Sequence, residues 1–137
     1  MTKESIMGEF LAFTQLHEVQ LLKIFQDLQT AIHHELPDEI KRVTENVLAQ
    51  RAYVALCSAK YNELLDRATQ ACLPTKAETG LGELDRKVMC KAEVAPIQYW
   101  CDICDGLLET IDRRISFSQS ELAFEKEYVK KIGESYA

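Results

Sequence analysis

Proline and glycine are scarce in this chain, with three prolines and five glycines among 137 residues. Together with 47% hydrophobic residues, that excludes a disordered or low-complexity character. Long apolar runs are missing as well. No stretch approaches the roughly 18 apolar residues of a membrane span. Residues 1–35 mix apolar positions with Lys3, Glu4, Glu9, Glu18, Lys23 and Asp27, which is unlike a targeting segment. The cytoplasm is therefore the expected compartment. Positive charge is short too: 16 Lys and Arg stand against 22 Asp and Glu, a formal net charge of −6. The field of such a chain repels phosphate, so any nucleic-acid site must be local. Residues 36–70, with five bases and five acids, are a less unfavourable place than residues 1–35, with two bases and five acids.

The usual catalytic signatures are absent. There is no phosphate-cradling Gly-x-x-x-x-Gly-Lys, no Gly-x-Ser-x-Gly and no His-Glu-x-x-His, and the Glu-x-x-His pairs of a di-iron bundle are not found either. Nothing specific supports an enzyme. Cys57, Cys72, Cys90, Cys101 and Cys104 are odd in number and lack a secretory context, so they are expected to be reduced thiols. No cofactor or metal is implied.

What the chain does have is helical periodicity, and 137 residues suit a single helical domain. From about residue 5 to 35, Ile6, Phe10, Phe13, Leu21, Ile24, Leu28 and Ala31 recur at steps close to three and four. The pair Leu36-Pro37 breaks that helix, and Pro37, Asp38 and Glu39 suit the first turn of another. This second helix, 38–70, has the stripe Val43, Val47, Val54, Cys57, Tyr61, Leu64, Leu65 and Ala68. Residues 71–82 lack periodicity and hold one proline and two glycines, which predicts a loop. A short helix, 83–92, is expected next. Pro96 then starts or kinks a last helix over 97–132. No window alternates as a strand does. The expected fold is all-α, long antiparallel helices in a bundle.

Alternating steps of four and three from Ile97 pass through Cys101, Cys104, Leu108, Ile111, Ile115, Ser118, Leu122, Glu125, Val129 and Ile132, and nine of these eleven positions are apolar. A mean spacing of 3.5 keeps one stripe facing a partner helix, the pattern of a coiled-coil-like seam, here assigned to oligomerisation. The partner helix could equally belong to the same chain. A second line, Ile103, Phe117 and Phe124 at multiples of seven, flanks the seam.

Trp100-Cys101-Asp102-Ile103-Cys104 matches the tryptophan-Cys-x-x-Cys of thioredoxin-like redox sites. No strand precedes it, Asp102 and Asp105 oppose a thiolate, and both sulfurs fall on the seam as small apolar residues. His33 and His34 suit the end of the first helix, and His17 lies on its apolar stripe as a packed side chain. On the second helix Asn46, Tyr53, Lys60 and Arg67 stand seven apart. If exposed, an aromatic among cations could stack a base while the charges hold phosphates; the plainer reading is a solvated face paired with acids such as Glu63 and Asp66.

Three places carry a family resemblance: Ala49-Gln50-Arg51 leading into Val54-Ala55-Leu56; Lys87 to Glu93 leading into Gln98-Tyr99-Trp100; and Cys104-Asp105-Gly106 followed by Leu108, Ile111 and Arg114. In these the chain resembles the UvsY family of phage recombination mediators over about residues 45–125. The resemblance implies a homo-oligomer assembled through its C-terminal helices that binds single-stranded DNA, contacts a recombinase and a single-strand binding protein, and promotes recombinase loading. The family's Lys-x-Arg pair after the Val-Ala-Leu run reads Cys57-Ser58-Ala59 here, beside Lys60. That departure moves the expected DNA contact to Arg51, Tyr53, Lys60, Arg67, Arg86, Lys87 and Lys91. An oligomeric scaffold that binds proteins and no nucleic acid is the alternative.

Overall fold

The computed structural model describes residues 2–29, 37–72 and 80–136, with side chains left out at 37–44, 118, 121, 122, 125 and 134–136. Three helices make up these residues: α1 (Lys3–Gln29), α2 (Pro37–Cys72) and α3 (Glu83–Tyr136). No strand occurs among the described residues. Ala31, His33, His34 and most of the expected loop, 73–79, lie outside them. Thr2 opens α1, its hydroxyl accepting the Ser5 amide at 3.2 Å, which satisfies one of the first-turn donors. Gly80, at φ +70°, takes the left-handed conformation that glycine adopts without steric cost just before α3 starts.

The periodic stripes are the core. Ile6, Phe10, Leu21 and Ile24 of α1 and Val47, Val54, Cys57, Tyr61, Leu64 and Ala68 of α2 are buried, with Phe13, Leu28 and Leu65 partly so. Each fully buried Leu, Ile or Phe contributes about 1.5–3 kcal/mol of transfer free energy, an upper figure given a partly collapsed unfolded chain. Tyr61 is the hub. It is fully buried, stacks on Trp100 of α3 at 5.9 Å between centroids, and takes the rings of Phe10 and Phe13 edge-on at 5.9 and 5.1 Å. Its hydroxyl meets Thr14 at 2.9 Å. One side chain thus ties all three helices.

Cross-helix contacts give the register. Against α3, Thr69 of α2 meets Cys90, Ser58 meets Asp105 and Arg51 meets Asp112; numbers fall along one helix as they rise along the other, so the two run antiparallel. Helix α1 runs alongside α3 in the same direction, from the Lys3–Glu93 ion pair to Arg114, whose guanidinium donates to the Leu28 carbonyl at 3.1 Å. At 1.5 Å per residue the 54 residues of α3 extend about 80 Å, against about 40 Å for the 27 of α1. Helix α3 therefore projects well beyond the described end of α1.

Two expectations are corrected. The segments 83–92 and 97–132 are one helix with Pro96 inside it. Pro96 and Ala92 are both exposed, so the carbonyl that loses its amide partner stays on the solvent side. Cys90, Val94, Ile97 and Cys101, all buried, hold the backbone on either side of it. The second correction concerns the seam. Ile97, Cys101, Cys104 and Ile111 are buried within the chain itself, with Leu108 and Ile115 partly buried against the same core. The first half of the seam is an intramolecular contact, so it is not available to other copies. Val129 and Ile132, in the second half, are exposed, and the side chain of Leu122 lies outside the described ones. None of the described helices is long and apolar enough to cross a membrane.

Candidate functional site

The cationic face expected on α2 is turned toward α1. Tyr53, Lys60 and Arg67 are half-buried there, not exposed. Lys60 Nζ reaches Glu9 at 2.8 Å, and Arg67 grips the same carboxylate with both terminal nitrogens at 3.0 and 3.3 Å. Glu63 closes the network from within α2, 3.1 Å from Arg67. Hydrogen bonds first from Arg67 and then from Lys60 hold the Glu9 carboxyl down at about 2, and Glu9 in turn raises both cations. Tyr53 shares a hydrogen bond with His17, and burial pushes its hydroxyl up to about 12. Asn46, the remaining member of the face, is exposed; Arg51, which lies off that line, pairs with Asp112 of α3 at 2.6 Å. The sequence puts these residues at the correct spacing; it does not show that Glu9 and Asp112, distant in the chain, lie against them.

A pH dependence follows from Glu9. Its folded value lies below the ordinary 4.5, so the ion network adds stability above about pH 4.5 that is lost as the pH falls toward 2. Melting temperatures of Glu9→Gln measured across that interval should show a shallower acid slope than wild type. Equal slopes would mean that the partly exposed network is too well screened to matter.

The second expected group lies on the first turns of α3. Arg86 is held near the helix start by Gly82, and Lys87 pairs with Glu83 at 3.1 Å. Lys87 and Lys91 both line an open groove between α2 and α3 of about 520 Å³, whose other walls include Leu65, Thr69 and Gln98. Lys87 and Lys91 are exposed and Arg86 is half-buried.

Cys101 and Cys104 sit in the core between α3 and α2. Burial, with Asp105 and Asp102 nearby, raises Cys101 to about 11, and burial raises Cys104 to about 12. A redox nucleophile needs the opposite shift. Cys57, Cys72 and Cys90 are buried and free as well. Among the described residues no group of three or more His, Cys, Asp or Glu could hold a metal ion.

What periodicity did not single out is an open groove between α1 and α3, lined by Leu22, Phe25, Tyr99, Ile103, Leu107 and neighbours, with a volume of about 520 Å³. Beyond it Phe117, Phe124 and Tyr128 are 58, 69 and 54% exposed. Exposed aromatics sharing one side of a helix are the kind of surface that partners use. The sevenfold line Ile103, Phe117 and Phe124 read from the sequence runs through this surface; the groove beside it, which needs α1, is not legible there. Compared with known proteins, the chain matches no family model, no curated protein and no solved structure.

Proposed function

We propose that this chain is a non-catalytic assembly protein that pairs with other helices through the part of α3 beyond Ile115. The exposed apolar side chains there, Phe117, Phe124, Tyr128, Val129 and Ile132, carry this reading. A monomer that left such a surface in water would forgo burial free energy that a partner helix recovers. Light scattering of the purified protein at tens of micromolar should give a mass above one chain. A monomeric mass would remove the proposal.

Within that reading, the resemblance to the UvsY family supports a recombination mediator that binds single-stranded DNA and promotes recombinase loading. Lys87 and Lys91, with Arg86 beside them, are its best-placed contacts, because both lysines are exposed whereas Lys60 and Arg67 are turned inward toward Glu9 of α1. Binding of a labelled oligonucleotide should weaken with salt, and replacing Lys87 and Lys91 by alanine should reduce the salt slope by about 1 for each phosphate left without its cation. Assembly without any salt-dependent binding would favour the scaffold that binds proteins alone.

A further inference from the structure

Cys72 and Cys90 stand 18 positions apart in the chain, on two antiparallel helices whose register brings them together. The Cys90 thiol donates to the Thr69 carbonyl at 3.5 Å. A carbonyl in an α-helix points along the axis toward the amide four residues on, so the Thr69 oxygen lies in the turn of α2 that carries Cys72. The Cys90 sulfur rests against that turn. Glu93, three residues beyond Cys90 in α3, takes the Lys3 ammonium at 2.6 Å and accepts a hydrogen bond from the Cys72 thiol. Both thiols therefore gather about one carboxylate where the three helices meet. Cys90 also lines the open groove between α2 and α3, beside Lys87 and Lys91. The other three cysteines differ: Cys57, Cys101 and Cys104 are 2% exposed or less, and none of them lines that groove.

We infer that Cys72 and Cys90 are a redox pair, which a peroxide entering the α2–α3 groove converts to a disulfide tying α2 to α3. The Cys90 sulfur attacks one peroxide oxygen, the O–O bond breaks, and the other oxygen leaves with the thiol's proton as water or an alcohol. The Cys72 sulfur then attacks the sulfenic acid so formed. The S–S bond forms as the S–O bond breaks, and the hydroxide leaves as water with the Cys72 proton. Each sulfur gives up one electron and the peroxide takes two. Burial, with Glu93 nearby, holds both thiols above their ordinary value against the opposing pull of Lys3. The attacking species is the thiolate, so the pair reacts slowly and answers sustained oxidation more than a brief pulse. A bridge here joins the two walls of the groove and fixes the spacing at which Lys87 and Lys91 face α2. The inference depends neither on assembly nor on nucleic-acid binding.

The test exposes the full folded chain to hydrogen peroxide at neutral pH, blocks the remaining thiols with iodoacetamide and digests with trypsin without reduction. Cleavage after Lys and Arg leaves Cys72 in residues 68–76, Cys90 in 88–91, Cys57 in 52–60, and Cys101 with Cys104 in 92–113. The expected product is 68–76 linked to 88–91, from a protein whose intact mass is that of one chain less two hydrogens, and dithiothreitol should remove the link. The oxidised protein should melt several degrees above the reduced one, because the bridge restricts the unfolded chain. In Cys72→Ser the link and the melting shift should both vanish, while Cys90 halts as a sulfenic acid that dimedone labels. Cys90→Ser should give neither link nor label at Cys72. Overturning results are a link that involves Cys57, Cys101 or Cys104 in preference, a bridge between two chains, or thiols that stay unreacted. A fall in melting temperature on bridging would overturn it as well, since the bridge would then not fit the native register.

Discussion

Replacing Tyr61 by alanine is expected to lower the free energy of unfolding by about 3–5 kcal/mol, the range for removing a large aromatic from a close-packed interior. For a domain whose stability is of order 5–15 kcal/mol, that takes a large share of the total, read as a shift in the denaturant midpoint. The size follows from position. Tyr61 has no exposed surface, and its ring is packed from three directions by Phe10, Phe13 and Trp100. Truncation removes a side chain that touches aromatic groups of both α1 and α3, so the cavity cannot close by the movement of one helix. Tyr61→Phe separates the ring from the hydroxyl. It should cost about 1 kcal/mol for the hydrogen bond to Thr14 that it removes. A loss below about 1 kcal/mol in the alanine variant would show that the three helices are held together elsewhere.

The second large effect has the opposite sign. Pro96→Ala is expected to stabilise the protein by about 1–3 kcal/mol, because a proline in a helix interior costs roughly 3 kcal/mol, part of which its stiffening of the unfolded chain returns. Pro96 is exposed within a continuous helix, so alanine leaves the core packing intact and restores an amide toward the Ala92 carbonyl. Equilibrium unfolding in urea of the two proteins decides it. A destabilised variant would mean that the local shape imposed by proline is what seats Val94 and Ile97 against α2.

The helical stripes are readable in the sequence because burial and periodicity are the same information: Ile6, Phe10, Val54, Cys57, Tyr61 and Leu64 recur at three and four because one side of each helix must leave water. Pro96 reads as a boundary, and is not one, for a related reason. Its backbone penalty is local, and the burial of Cys90, Val94, Ile97 and Cys101 that offsets it depends on α2 being there. The tryptophan-Cys-x-x-Cys is legible as packing, since its spacing coincides with the seam and both thiols are buried.

The candidate site is less legible. Lys60 and Arg67 have the spacing of an exposed cationic face, but spacing does not reveal that Glu9, 51 and 58 residues away in the chain, will be laid against them. The seam shows the same limit. Its 3.5-residue period ensures that one line of α3 meets some helix, and cannot choose between α2 of the same chain and a second copy. By itself, then, the sequence determined that this protein is helical, where most of its buried stripes run, and that α3 has more apolar surface than one contact needs. Only the tertiary structure decided the rest: that α2 takes the first half of the seam, that Lys60, Arg67 and Arg51 are matched by acids from α1 and α3, and that an apolar groove stays open between α1 and α3. The physical reason is that periodicity encodes which face must be covered, whereas register and helix length decide what covers it.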